Sequence, residues 1–384
     1  MRIRTSASRY NKPRWKHRSP YHVLNAALLL FTLIGSPAIA DSASSPNARF
    51  EVLPELQGLR ITAASADGTV VAGDGIRMGV YSQAFRWDGK GPVQRLKPAP
   101  GQCDTTVSAI SADGRAVLVE TLHSSSDRVY RWLADGTLLA ITPEDQPHGA
   151  SAINDDGSAI AGYASTRGDL VDEPEKSTPF LWTAKDGYKL LPLPVGTRSA
   201  EPTYFSTDGR TLYGAGRTSS ADTGVRAGRP VIVHWEDGAL VQAPLIPLAL
   251  GSDWRARLLP LAEVRELDLR YPDAYALEGD PMRIDWVSAD GDVILGEGGW
   301  PSTRMIWTRA NGPCRLTDWL DALGVDYPRS ARLEGLLTSR DGRTLFGRYS
   351  DNSLLESVAW RIVAAQPLGR TRVSSAPYCG GNWP

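Results

Sequence analysis

The chain has 384 residues, enough for one to three domains and a sizeable core. Lysine plus arginine (42) nearly balance aspartate plus glutamate (43), while glycine (37) and tryptophan (12) are abundant. With long helical patterns scarce, this composition favours an all-β repeat protein.

Residues 1–20 are basic, with Arg2, Arg4, Arg9, Lys12, Arg14, Lys16 and Arg18 and no acid. An apolar run from Val23 to Ile34 follows, then Ser36-Pro37-Ala38-Ile39-Ala40, a small-residue cleavage pattern before Asp41. These features predict a secretory signal peptide over 1–40 with a linker at 41–48. The alternative is an uncleaved anchor, but the run falls short of the roughly 20 apolar residues a spanning helix needs. No second such run follows, so no membrane span is expected after cleavage. Without the leader the chain holds 35 basic and 43 acidic residues, which disfavours nucleic acid as a partner. Export would be to the periplasm or the extracellular space. Cys103, Cys314 and Cys379 fit no zinc spacing, so one disulfide and one free thiol are expected. Pairing of Cys314 with Cys379 would tether the tail, and pairing of Cys103 with Cys379 would join the two ends. The spacings decide neither.

From residue 49 a repeat takes over. Asp-Gly pairs stand at Asp67-Gly68, Asp113-Gly114, Asp156-Gly157, Asp208-Gly209, Asp290-Gly291 and Asp341-Gly342. Each precedes a strand-end tryptophan, in turn Trp87, Trp132, Trp182, Trp235, Trp307 and Trp360. Four intervals between the pairs are 43 to 52 residues, and the interval from Gly209 to Gly291 is 82. Two features recurring in the same order mark a repeat array. Each unit reads as four short strands. The first ends before the Asp-Gly, a tight-hairpin signal because aspartate and glycine accept positive φ cheaply. The second is apolar without alternation, as in Val293-Ile294-Leu295-Gly296, and so is expected to be buried on both faces. The third carries the tryptophan. A second turn, such as Asp186-Gly187, leads to the fourth.

Four antiparallel strands in about 45 residues suggest a propeller blade. The chain also starts out of phase, with Phe50-Glu51-Val52-Leu53-Pro54 reading as a fourth strand that lacks its first three. Such a strand can complete the last blade. The expected fold is therefore an all-β, six-bladed β-propeller over 49–372, closed by the N-terminal outer strand, with a tail at 373–384. Two insertions interrupt it: residues 243–283, and a short helix from Thr317, read as N-cap, to Gly324, read as its stop.

The phrases Ile153-Asn154-Asp155-Asp156-Gly157-Ser158-Ala159-Ile160-Ala161-Gly162, Pro179-Phe180-Leu181-Trp182 and Asp318-Trp319-Leu320-Asp321-Ala322-Leu323-Gly324-Val325-Asp326 resemble the HAF-type extracellular repeat family of bacteria. The resemblance spans about residues 50 to 363. It implies an exported repeat protein, joined in some members to an autotransporter barrel, for which this sequence has no counterpart after Trp360. The resemblance transfers no catalytic residues.

Antiparallel order puts both tight turns of a unit at one end. The strand 2–3 loops, the unit-to-unit connections and all the length variation then fall at the other, where function is expected. Candidate binding residues there are Arg77, His123, Arg167, Arg217, Trp254, Trp300, Arg348 and Tyr349, residue types suited to carboxylates, sugars or another protein. Other signals read as scaffold. Gly73-Asp74-Gly75, Gly214-Ala215-Gly216 and Gly296-Glu297-Gly298 precede no helix and accompany no phosphate-loop lysine, so they indicate close packing. The repeated aspartates read as turn formers, not calcium ligands. No metal site, cofactor or catalytic motif is expected. Carboxylates crowd the insertion at Glu266, Asp268, Asp273, Glu278 and Asp280, in what reads as a solvated loop.

The leading expectation is an exported, monomeric propeller that binds a protein or glycan through its long-loop face. The alternative is a carbohydrate-active hydrolase or lyase with its site beneath residues 243–283. A structural envelope component is a third.

Overall fold

A computed structural model describes residues 48–373 except 78–80, 98–103, 122–126, 145–146, 167–175, 207, 219–229, 242–245, 248–282, 289–290, 299–302, 330–331 and 351–356. It is all-β, and the described residues form six antiparallel sheets. The predicted signal peptide, linker and most of the tail lie outside the described residues.

The first strand, β1 (Ala48–Leu53), belongs to the last sheet. The first sheet comprises β2 (Leu59–Ala64), β3 (Val71–Arg77), β4 (Tyr81–Trp87) and β5 (Gln94–Arg95). The second holds β6 (Thr105–Ile110), β7 (Ala116–Thr121), β8 (Val129–Leu133) and β9 (Leu138–Ala140). The third holds β10 (His148–Ile153), β11 (Ala159–Thr166), β12 (Lys176–Thr183) and β13 (Gly187–Leu190). The fourth adds a fifth strand to the pattern: β14 (Thr197–Phe205), β15 (Thr211–Thr218), β16 (Pro230–Glu236), β17 (Ala239–Leu240) and β18 (Ile246–Pro247). The fifth holds β19 (Arg283–Val287), β20 (Val293–Gly298), β21 (Thr303–Thr308) and β22 (Gly312–Arg315). The sixth pairs β23 (Arg332–Thr338), β24 (Thr344–Ser350) and β25 (Ser357–Ala364) with β1 as its outer strand. The β1–β25 register sets Phe50 opposite Ile362 and Val52 opposite Trp360. The repeated four-strand order is that of the β-propeller class.

The core lies between sheets, which explains the unbroken apolar second strands. On β7, Val117 and Val119 join Ala63, Ala72 and Ala84 of the first sheet in one cluster. Leu118, between them, faces Ile160, Phe180 and Trp182 of the third. Similar layers join the third sheet to the fourth, the sixth to the first and the fifth to the sixth. All six repeat tryptophans are buried.

Every inner strand carries an extra residue against its second-strand partner, as between Ile61 and Ala63 or Val107 and Ala109, and β14 carries two. Such bulges sharpen the twist. The repeated glycine sits opposite the bulge in five sheets, and Val119 takes its place in the second. A Cβ on Gly73 would meet the Arg60 carbonyl oxygen at 1.9 Å, and one on Gly162 would meet that of Gly149 at 2.1 Å.

The helix α1 spans Leu316–Ala322, with its start two residues earlier than the sequence predicted. Thr317 is not its cap: Arg315 holds that position, without a side-chain cap bond. Burial decides the start, since Leu316, Trp319 and Leu320 all insert between the fifth and sixth sheets. Gly324 stops the helix as expected, at φ 71°. Part of the stretch read as the 243–283 insertion belongs to the frame, because Ile246–Pro247 pairs with Val231–Ile232 of β16. The remainder, residues 248–282, lies outside the described residues.

Candidate functional site

The two ends of the sheets differ, and the difference starts in the turns. In the first sheet Ser65 N–H donates to the Val70 carbonyl at 2.8 Å, closing a four-residue loop around Asp67-Gly68. Only the glycine takes positive φ, 70°. The aspartate accepts bonds instead: its carboxylate takes the Ser65 hydroxyl at 2.8 Å and the Thr69 N–H at 3.0 Å. The Ser65 hydroxyl oxygen in turn accepts the Val70 N–H at 3.0 Å. Ser111, Ser206 and Ser339 repeat this arrangement, and Asn154 replaces the serine in the third sheet. The expectation of positive φ at aspartate thus fails for these turns. It holds at Asp237, at φ 48°, in the two-residue β16–β17 hairpin.

These carboxylates are tuned by their turns. Burial raises the Asp67 pKa, but bonds from Thr69 and Ser65 outweigh it and hold the group below its ordinary value. The hydroxyl and N–H of Ser158 lower Asp156, and the Ser206 hydroxyl followed by the Arg210 N–H lowers Asp208.

Both tight turns of a sheet share one end, as expected. Ala134 N–H donates to Arg115 O at 2.9 Å, Ala184 to Ser158 at 2.8 Å and Asp237 to Arg210 at 2.9 Å. Turns of different sheets are also bonded. Asp341 N–H donates to Ala66 O at 2.8 Å, Ala66 to Ala112 at 2.8 Å, and Ala112 to Asp155 at 2.9 Å. Arg340 of the sixth sheet adds a charge-assisted bond to Asp155 of the third. Mutual bonding occupies much of this end.

The opposite end carries polar side chains, most of them on the inner two strands. Arg60 on β2 grips Asp74 on β3 with two bonds of 3.1 and 2.9 Å. The Asp74 side chain is 6% exposed and the Arg60 side chain 52%. Ser108 donates to Glu120 in the second sheet. Arg304 lies 3.1 Å from Glu297 in the fifth sheet, and Glu334 of the sixth lies 3.1 Å from Arg332 and 3.4 Å from Arg348. The exposed side chains of Arg60 and Arg332 present donors to solvent while paired carboxylates fix their direction. Such forks suit planar oxygen ligands.

Of the eight predicted binding residues, His123, Arg167, Trp254 and Trp300 lie outside the described residues. Arg77, Arg217, Arg348 and Tyr349 stand near the ends of β3, β15 and β24, each the second strand of its sheet, where the long loops begin. Arg348 is held by Glu334, and Tyr349 packs partly into the core between the fifth and sixth sheets. Sequence reasoning pointed to the loop that begins at Glu297 but missed Arg60, Asp74, Glu120, Arg304, Arg332 and Glu334. A signal was present: the residue after the second-strand glycine is Asp74, Tyr163, Glu297 and Arg348 in four sheets, where the apolar run ends in a polar or aromatic side chain.

The histidines with described positions are part of the sheets. His148 is 2% exposed, with its Nε2 3.0 Å from the Tyr188 hydroxyl and its ring edge-on to Phe180. His234 stacks on Tyr213 at 5.7 Å. Among the described residues no three His, Cys, Asp or Glu side chains are grouped to hold a metal ion, and no helix is long and apolar enough to cross a membrane.

No family model and no curated protein matches the sequence. Solved structures do resemble the fold. Oligogalacturonate lyase from Vibrio parahaemolyticus is similar at a TM-score of 0.47 and 10% identity, over 82% of this chain and 97% of that one. A luciferin-regenerating enzyme is similar at 0.39 and 8%, over 85% and 98%. A prolyl endopeptidase is similar at 0.38 and 13%, over 84% of this chain and 44% of that one. The chain thus spans less than half of the prolyl endopeptidase, and it spans 25% of the tricorn protease, also similar in fold.

Proposed function

We propose that the protein is an exported, monomeric, six-bladed β-propeller of the HAF-type repeat kind, which binds a protein or glycan at its long-loop end. The observation that carries this reading is the contrast between the ends: one is bonded turn to turn, while the other presents Arg60 and Arg332 on anchored carboxylates. Closure of the ring is supported by β1 as outer strand of the last sheet and by the Arg340–Asp155 pair between the third and sixth turns. The fifth, sixth, first, second, third and fourth sheets share core layers in that order. Export is supported by the basic-apolar leader and by a disulfide at Cys314, a bond that persists in oxidising compartments.

The second reading, a carbohydrate-active hydrolase or lyase beneath residues 243–283, uses the same end of the molecule. A lyase and an endopeptidase stand among the similar folds, which is compatible with it; fold likeness at this level identifies no substrate.

Screening the secreted chain against a glycan array and by pull-down tests the binding reading. Arg60→Ala and Arg332→Ala should each weaken capture at least tenfold and leave the thermal transition in place. Capture unchanged in both variants would overturn the placement of the site. Release of reducing ends or unsaturated products from polysaccharides, lost on deletion of 249–282, would establish the enzyme instead.

A further inference from the structure

Given binding at the long-loop end, on which this rests, we propose that the junction of the sixth and first sheets is an oxyanion subsite. It takes the acidic group of a polysaccharide, a uronate carboxylate or a sulfate ester, on the guanidiniums of Arg332 and Arg348.

One repeat position sets the direction of the charges. The residue after the second-strand glycine, or after its counterpart Val119, is Asp74, Glu120, Tyr163, Ala215, Glu297 and Arg348 in sheet order. Side chains alternate between the two faces of a strand. On β3, Ala72 joins the layer shared with the second sheet, so Asp74 lies on that face. On β7, Leu118 faces the third sheet, and Glu120 shares its face. On β20, Val293 and Leu295 face the sixth sheet, as does Glu297. On β24, Phe346 packs with Leu59 and Ile61 of the first sheet, so Arg348 lies on the side of the first sheet. Three of these junctions thus receive an acid, and the junction of the sixth sheet with the first receives a cation.

The register builds a cluster around that cation. Glu334 pairs with Arg348 across β23 and β24, and Arg332 stands two residues before Glu334 on the same face. Leu333 and Tyr349 take the other face and pack toward the fifth sheet. Glu334 bridges the two guanidiniums, with Oε1 3.1 Å from Arg332 Nε and Oε2 3.4 Å from Arg348 Nη2. Two positive charges therefore share one negative charge, whereas Arg60 and Asp74 balance one to one. The Arg332 side chain is 70% exposed and that of Arg348 37%, so a solute can reach both. Arg332 spends its Nε on Glu334, and among the described residues nothing bonds its two terminal nitrogens. Their spacing matches two oxygens of a carboxylate or a sulfate.

The facing wall leaves room. Ser350 pairs with Arg332 on one side and with Ser357 on the other, and Gly58 N–H donates to the Ser357 carbonyl at 2.9 Å. Gly58, the residue before β2, thus stands at this junction, and a Cβ built on it would meet nothing within 4 Å.

The inner rim favours a polysaccharide over a protein partner. Among the described residues the exposed large apolar side chains are Val52, Leu139, Leu190, Val195 and Val363, and none lies on a first or second strand. A protein interface centres on apolar or aromatic anchors. Guanidiniums beside carboxylates instead match sugar acids and sugar hydroxyls.

Calorimetry of the secreted chain with polygalacturonate, its methyl ester, dextran sulfate and dextran tests this. The charged member of at least one pair should bind about tenfold or more tightly than its neutral partner at low salt, with the preference shrinking as salt rises. The pair that shows it tells carboxylate from sulfate. In the double variant Arg332→Ala, Arg348→Ala the preference should fall to within about twofold, with the thermal transition in place; Arg332→Lys, which keeps the charge and loses the fork, should also weaken it. No preference in the wild type, a preference that survives the double variant, or polyglutamate bound as tightly as the acidic polysaccharide would each overturn the subsite. A neutral glycan captured by the wild type and lost in Arg60→Ala would overturn the acidic class and leave the long-loop site standing.

Discussion

Arg340, in the turn of the sixth sheet, donates from its guanidinium to the carboxylate of Asp155, in the turn of the third. The residues are 185 positions apart, and neither neighbouring sheet brings them together. Their meeting requires the turns of non-adjacent sheets to converge. The backbone bonds from Asp341 to Ala66, Ala66 to Ala112 and Ala112 to Asp155 trace the same convergence through the intervening sheets. One end of the molecule is thus a hydrogen-bonded hub.

A double-mutant cycle with Arg340→Ala and Asp155→Ala measures this contact. Their side chains are 28% and 40% exposed, so solvent screens the pair. The coupling expected from urea unfolding is about 0.5–1 kcal/mol, falling with added salt. The Asp155 carbonyl still accepts from Ala112 in the alanine variant, so the backbone hub should survive. A coupling of zero at low salt would remove the pair from the account.

Two glycines separate packing from backbone conformation. Gly162→Ala places a Cβ 2.1 Å from the Gly149 carbonyl oxygen, where the bulged inner strand crowds the second. The backbone there must move, at a cost of about 3 kcal/mol or more. Gly136 has φ 91° but open space where a methyl would stand, so Gly136→Ala should cost only about 1–2 kcal/mol of conformational strain. Denaturant midpoints for the two variants check the ranking. Equal losses would mean that the strands at 162 yield to a methyl and that close approach does not require the glycine.

The closing strand makes a third case. Phe50 stacks on Trp360 at 5.5 Å, and β1 covers the edge of β25 along six register pairs. Phe50→Ala should cost about 2–3 kcal/mol, less than a fully buried phenylalanine because Phe50 is only partly buried. Removing residues 48–53 should cost far more, since it bares a whole strand edge as well. Calorimetry of both variants checks this; a deletion variant that melts like the wild type would show that β1 is dispensable to the frame.

The frame was legible in the sequence because its signals are local and repeated. An Asp-Gly turn and the strand-end tryptophan that follows it mark each sheet. The bulges were not legible, because an extra residue in a strand leaves no mark except a glycine across the pair. Nor does the serine two places before five of the six aspartates announce itself as the hydroxyl that ties the turn. The half-charged inner rim escaped for a different reason. Arg60 and Asp74 are 14 residues apart on paired strands, and only the register brings them opposite. Of the candidate binding residues, Arg77, Arg217, Arg348 and Tyr349 stand near the ends of their second strands, because alternating strand direction alone fixes which end of a sheet a loop leaves from.

The turn aspartates predict how stability depends on pH. Burial raises Asp67, yet bonds from Thr69 and Ser65 leave it net lowered; Ser158 lowers Asp156. A carboxylate whose pKa is lower folded than unfolded binds more protons in the unfolded state as pH falls. Its contribution is therefore present above the unfolded value, about 3.9, and is lost as pH drops through the folded value. Unfolding midpoints in urea should be flat between about pH 5 and 7 and fall steeply below about pH 4. In the double variant Asp67→Asn, Asp156→Asn the neutral-pH midpoint should drop and the acid slope should become shallower, because two of the linked groups no longer titrate. Parallel curves for the variant and the wild type would show that the acid sensitivity arises outside these turns.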